Sequence, residues 1–336
     1  MASNARSTMS VTVTSDTSTF ESQVTVGHFV CCISGVVGDW KKFAPSIRGA
    51  KLKCVLANPE ECLFWACELR GSLSIAGDEP AMNHEITWSG SLNSFGRNMN
   101  LPPLNAIPAE DQAAPEAYVF TKPRPLEGRR CYLQAKVDIT IDIISCKMID
   151  LASRTHELIF GPDDAAHIAV CGKEIWVSKK VFSDQSPVFA AMFQNGPKGD
   201  ILYPLEDPAC LTDFYTVKHF IAAVYGTPNV INIKSYDYLL NVATKFQCSR
   251  IIKECEDYVR GHPWIEDQMK LVIACKYQLN QLAEEVIKRL PGTDLLQFVL
   301  HGIDEVHTPC SGDSILDMVT QKLGSLTVEY YDEPGL

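Results

Sequence analysis

The chain has 336 residues, enough for two or three domains that each carry a core. Its formal net charge of -11 argues against a nucleic-acid backbone or an anionic membrane surface as the main partner. Its 13 cysteines would imply a disulfide framework only in a secreted chain. Met1 to Ser15 is rich in Ser and Thr, holds a single arginine (Arg6) and has no apolar core. Neither a secretory signal nor a mitochondrial transit peptide is therefore expected. No apolar run reaches membrane-spanning length. The expectation is a cytoplasmic or nuclear protein whose cysteines are reduced and mostly packed as small hydrophobes.

Residues 1–24 read as a flexible polar tail, with Phe20 as the large apolar exception. Val11 and Val13 alternate with threonines and allow one early strand. From residue 25 to 146 the texture is β. Short apolar runs at His28–Val30, Leu52–Leu56, Leu63–Leu69, Leu73–Ile75 and Ile86–Trp88 are broken by Gly, Asn, Pro and Asp. The clearest strand comes last: Cys131, Leu133, Ala135, Val137, Ile139, Ile141 and Ile143 share one face, and polar residues fill most of the other. That alternation suits an antiparallel strand with one face in a core, and several such strands favour a β-sandwich. Within the region, Lys122–Arg130 (KPRPLEGRR) has too few prolines for a polyproline ligand and reads as a solvated loop.

WACELRGSLSI (Trp65–Ile75), ITWSGSLNSFG (Ile86–Gly96) and the closing strand together resemble a divergent MATH (TRAF-like) domain. The resemblance implies a sheet that binds extended substrate peptides, with a groove shaped by an aromatic-glycine-aromatic cluster. Phe95 and Gly96 fit its first two places, so Phe95 and Arg97 are the candidate groove residues. Arg97 stands where a second aromatic is usual, and Pro102 to Pro125 replaces a shorter loop. A sandwich without a retained groove is the alternative.

Residues 147–162 read as a linker with Arg154, His156 and Glu157 exposed. His167 to Phe193 then reads as a hairpin feeding two short helices. Ile168 and Val170 alternate with Ala169 and Cys171, Gly172 permits a tight turn, and Ile175–Val177 returns. Ser178 and Ser186 occupy N-cap positions, and Pro187 stands at a first helical position where its missing N–H costs nothing. Ile201–Leu205 is a strand. Phe214–Tyr225 is a helix ended by Gly226, a further helix carries Tyr238 to Phe246, and Ser249 is expected to cap the next.

This order of turn, cap and proline, with VYG (Val224–Gly226), LLNVATKFQ (Leu239–Gln247) and CEDYV (Cys255–Val259), resembles a BTB/POZ domain over residues 163–261. The resemblance implies a homodimer formed through the first helix, and hence Val181 and Phe182 as interface residues. It also implies contact with cullin-3 through the loop after the second helix. That loop, Gln194 to Asp200, carries Asn195, Lys198 and Asp200 but no hydrophobic-x-Glu triplet, so weak cullin-3 binding is expected.

Residues 262–325 continue as amphipathic helices around Leu271–Tyr277, Leu279–Leu290, Leu295–Val299 and Ile315–Leu323, before an acidic tail at 326–336. They resemble the 3-box or BACK extension of BTB proteins. The fold class read from the whole is multidomain α+β: an N-terminal antiparallel sandwich, a central BTB/POZ domain and a C-terminal helical extension.

No catalytic pattern, phosphate loop, HExxH or CxxC is present, so no catalytic residue, cofactor or metal is assigned. Cys62 with Cys67, and Cys248 with Cys255, lack zinc-ligand spacing. His262, His301, His307 and Cys310 read as ordinary surface residues, and Asp163–Asp164 as solvated or capping. Three functions compete. The first is an adaptor that brings an unknown protein substrate to a cullin-3 ubiquitin ligase. The second is a homo-oligomeric or transcription-associated scaffold. The third, a hydrolytic or metal enzyme, lacks a motif.

Overall fold

The computed structural model describes residues 5–14, 19–41, 44–76, 84–101, 104–105, 134–195, 202–205, 211, 213–299, 315 and 317–324. The chain divides into two compact units, Met1–Glu157 with Thr227–Val230, and Leu158–Gly226 with Ile231–Leu336.

The first unit is built from two antiparallel sheets. Strands β1 (Ala5–Thr14), β9 (Gln134–Asp150), β5 (Leu63–Ala76) and β6 (His84–Asn93) lie side by side in that order. Strands β2 (Thr19–Val26), β3 (Phe29–Lys41), β4 (Ala44–Leu56) and β7 (Asn98–Asn100) form the second, and β8 (Leu104–Asn105) also pairs with β4. One buried cluster joins them: Cys31, Ile33, Ile47 and Leu52 from one sheet meet Leu69, Leu73, Ile139 and Ile141 from the other. Alternation dictates this, because every second side chain of a strand faces the same way.

Two expectations change at the ends of this unit. Residues 5–14 and 19–24, read as part of a tail that allowed one early strand at Val11 and Val13, are strand, and Met9 and Phe20 enter the core. Strand β1 pairs with β9 over ten residues, from Ala5 opposite Ile143 to Thr14 opposite Gln134, so a partner far along the chain fixes it. The other change is at His156, which is buried, whereas Glu157 is exposed. Strand β9 also runs on to Asp150 past a bulge, where Glu68 faces Ser145 but Leu69 faces Ile143. The extra residue, Ile144, is exposed, and beyond it Cys146 and Met148 take over the core-facing phase.

The second unit has a three-stranded sheet. Strand β10 (Ala165–Val170) lies between β11 (Lys173–Ser178), antiparallel, and β12 (Leu202–Pro204), parallel. Helices α1 (Lys179–Gln185), α2 (Pro187–Asn195), α3 (Phe214–Val224), α4 (Tyr236–Lys245) and α5 (Ser249–Gly261) follow, then α6 (Asp267–Tyr277), α7 (Asn280–Arg289) and α8 (Gly292–Gln297). Residues 317–324 are also helical. Gly226 takes φ +70° just past α3, the left-handed position that favours glycine after a helix. Ser249 does not cap α5 but begins it; Cys248 precedes it and makes no side-chain cap bond.

Gly71 marks the tightest point of the sandwich. It lies opposite both Trp88 of β6 and Ile141 of β9, and a Cβ there would run into the Thr140 carbonyl and the Trp88 indole. Gly71→Ala should therefore destabilise the first unit by roughly 1–3 kcal/mol, as overpacking does. Urea unfolding followed by tryptophan fluorescence measures this, and an unchanged midpoint would contradict it.

Candidate protein-interaction site

The hairpin of the second unit turns through Cys171 and Gly172, both at positive φ (50° and 70°), between the paired residues Val170 and Lys173. Positive φ at both central residues is the turn whose twist suits a two-residue hairpin. Ile168 and Ile175 face each other and are buried, while His167 and Trp176, the next pair, stack at 4.2 Å with a half-buried edge.

Side chains fix the chain where the hairpin becomes helix. Ser178 Oγ accepts from Val181 N at 3.1 Å, and Ser178 N donates to the Tyr225 hydroxyl at 2.9 Å. Burial pushes the Tyr225 phenol above its ordinary range. Asp164 Oδ1 accepts from Lys180 N at 2.8 Å and Oδ2 from Phe160 N at 2.9 Å, a capping role rather than a cation site. Ser186 Oγ accepts from Phe189 N at 3.1 Å and donates to the Phe246 carbonyl.

Arg250 closes the other end. Its Nη2 donates to the carbonyls of Ala223 (2.7 Å) and Val224 (3.0 Å), and its Nε to Gln185 Oε1 (2.6 Å). A guanidinium on terminal helix carbonyls satisfies orphan acceptors and complements the helix dipole.

The BTB/POZ family profile matches residues 165–262. Those residues are a BTB/POZ domain. Among solved structures, one similar chain is the BTB (Tramtrack and Bric a brac) domain of human gigaxonin. It is 16% identical, with a TM-score of 0.25, and the match covers 29% of this chain and 77% of that one. No curated protein matches the chain. A BTB domain is generally a protein-interaction and oligomerisation module, often found in cullin-3 adaptors.

The BTB domain places its expected interface residues differently from the reading of the sequence. Phe182 is 1% exposed, with its ring edge-on to Phe189 at 5.0 Å and Tyr225 at 5.7 Å. It belongs to the core, because adjacent helix residues point about 100° apart and only one of the pair can turn inward. Val181 stays half-exposed. Phe160, in the segment read as a linker, is 72% exposed near the start of α1, with the Lys180 ammonium 5.5 Å from its ring centre. Its only sequence signal was a lone aromatic before Gly161–Pro162.

Asn195 is exposed at the end of α2, and Lys198 and Asp200 lie outside the described residues. In the helices that follow, Tyr277, Leu282, Val286 and Ile287 are buried within the unit. Trp264, between α5 and α6, is 86% exposed, more than any other large apolar side chain described. His262 accepts from Trp264 N at 3.3 Å, while His301, His307 and Cys310 lie outside the described residues. Among the described residues, no group of three or more His, Cys, Asp or Glu could hold a metal, and no helix is long and apolar enough to cross a membrane.

In the sandwich, Phe95 and Arg97 share a tightly tied turn. Asn93 Oδ1 accepts from Phe95 N (2.8 Å) and Gly96 N (2.6 Å), and Arg97 Nε donates to the Ser94 carbonyl (2.9 Å). Phe95 is half-buried and Arg97 exposed. A separate cavity of about 490 Å³ opens elsewhere, over the outer face of the β1-β9-β5-β6 sheet. Arg6 and Arg70 line it and flank the Asp142 carboxylate at 3.3 and 3.4 Å, and neither Phe95 nor Arg97 contributes. Sequence reasoning missed it, since its charges (Arg6, Arg70, Glu85 and Asp142) sit on four strands, mostly far apart in the chain.

The two neighbours on α1 should separate cleanly by mutation. Phe182→Ala should cost the BTB unit roughly 3–5 kcal/mol, the range for a buried aromatic. Val181→Ala should cost less than about 1 kcal/mol. Urea titration by circular dichroism compares them, and equal losses would contradict the core assignment.

Proposed function

We propose that the chain is a protein-interaction adaptor that recruits substrates to a cullin-3 RING ubiquitin ligase through its BTB domain. The observation that carries the reading is a BTB domain in the same chain as a separate β-sandwich with its own core. One unit then contacts the ligase while the other is free to hold a substrate. The sandwich takes the receptor role as a divergent MATH-like domain, with the Phe95–Arg97 turn beside its substrate groove. The helices after the BTB domain act as its 3-box or BACK-like extension.

The BTB unit homodimerises through the face of α1 that carries Val181, with Phe160 as the neighbouring apolar anchor. A large uncovered aromatic is the kind of side chain that dominates an interface once desolvated. Trp264 is the matching candidate on the cullin side, compensating for the missing hydrophobic-x-Glu triplet. No residue is assigned to catalysis, and the protein works in the cytoplasm or nucleus.

The test is co-purification and titration of the full-length protein with the N-terminal domain of cullin-3. Weak binding is expected, falling about tenfold or more in Trp264→Ala, since an anchor of this size contributes on the order of 2 kcal/mol. Replacing Asn195-Gly196-Pro197 by Phe-x-Glu should strengthen it. Absence of binding by both the wild type and the Phe-x-Glu variant would favour a homo-oligomeric scaffold without a ligase role.

A further inference from the structure

The core of the sandwich holds two cysteines in a relation that ordinary packing does not require. Cys31 on β3 and Cys54 on β4 are direct partners in the antiparallel register, both are 0% exposed, and their sulfurs are 3.2 Å apart. The backbone shows which type of pair they form. Cys54 N donates to the Arg97 carbonyl at 2.9 Å, toward β7 and away from β3. Ala57 N donates to the His28 carbonyl at 2.9 Å, so the bonded positions between the two strands fall on the alternate residues. Cys31 and Cys54 therefore form a non-hydrogen-bonded pair, where the Cα atoms approach to about 4.5 Å. That spacing lies within the range a disulfide spans, roughly 4.4–6.8 Å, so little backbone movement is needed.

We propose that Cys31 and Cys54 are a thiol–disulfide site, closing to a reversible cross-strand disulfide with a low-molecular-weight disulfide such as oxidised glutathione as the oxidant. One cysteine thiolate attacks a sulfur of the oxidant, forming a mixed disulfide and releasing one thiolate, which takes up a proton. The second cysteine thiolate then attacks the protein-bound sulfur of that mixed disulfide and releases the other small thiol. The two cysteines lose two protons and two electrons, and the oxidant is reduced to two thiols.

The surroundings make the site slow and selective. The Cys31 sulfur and burial together push the Cys54 thiol far above its ordinary range, so it is protonated while the sandwich is closed. Attack must await local opening of the β3–β4 pair. Cys32 points to the opposite face, with its sulfur toward Gln23 at 3.9 Å, and does not compete from the same pocket. Cys67 and Cys146 are also cross-strand partners, on β5 and β9, and are the control pair for Cys31 and Cys54. Once closed, the bond ties β3 to β4, the strand that also pairs with β7 and β8.

The experiment equilibrates the full-length protein across ratios of oxidised to reduced glutathione, blocks free thiols with N-ethylmaleimide and maps peptides without reduction. The expected result is a peptide pair linked through Cys31 and Cys54, with the mass loss of two hydrogens and recovery of both thiols on reduction. The oxidised protein should melt higher, by roughly 5–10 °C for a closed loop of this length. Cys146→Ser should keep the link and the shift. Cys31 and Cys54 recovered as separately alkylated thiols at the most oxidising ratio would overturn the proposal. So would a Cys67–Cys146 link in place of theirs. The wild-type map decides the matter even if substitutions at Cys31 or Cys54 fail to fold.

Discussion

Phe189 is the side chain around which the BTB unit is assembled. Its ring lies 5.0 Å from Phe182 on α1, 4.8 Å from Phe246 at the end of α4 and 6.5 Å from Phe220 on α3. Edge-on and offset aromatic pairs add about 0.5–1.5 kcal/mol each beyond the area they bury, so one ring couples several helices. Ser186 secures that ring from the backbone side, accepting from Phe189 N while donating to the Phe246 carbonyl. A single hydroxyl thus caps α2 and joins it to α4. Because Phe182 turns inward to meet Phe189, the outer side of α1 is left to Val181 and the nearby Phe160. The composition of the outer face of α1 is set by the core beneath it.

The sandwich follows a different constraint. Its two sheets are joined by side chains from strands distant in sequence, and β1 and β5 both rest on β9. Loop closure over such distances is repaid only when the whole sheet forms, which favours folding as one unit. The Ile144 bulge shifts the phase of β9 partway along, and Gly71 leaves room for Trp88 to lie across β5. Each unit buries its own apolar set, as an independently folding domain does.

Local signals were legible in the residues; long-range ones were not. The hairpin turn at Gly172, the caps at Ser178 and Ser186, Pro187 at the head of α2 and the stop at Gly226 depend on near neighbours, and the structure shows each. Strand β1 was read as tail because alternating Ser, Thr and small apolar residues look like solvated chain until β9 covers them. Val181 and Phe182 could not be ranked because α1 has seven residues, too few for a helical period to show which side faces inward. His156 is polar and loop-borne, so nothing local indicated its burial. Of the candidate binding residues, Phe95 and Arg97 lie in one turn because they are two residues apart, whereas the cavity beside Arg6 and Arg70 depends on strand pairing that no short motif encodes.

The most direct measurement is hydrogen–deuterium exchange of the full-length protein with and without saturating cullin-3 N-terminal domain. Added protection should fall within residues 165–299, centred on the ends of α2 and α5, with β1 to β9 unchanged. Protection confined to the sandwich, or no change anywhere at saturation, would contradict an adaptor that meets the ligase through its BTB domain.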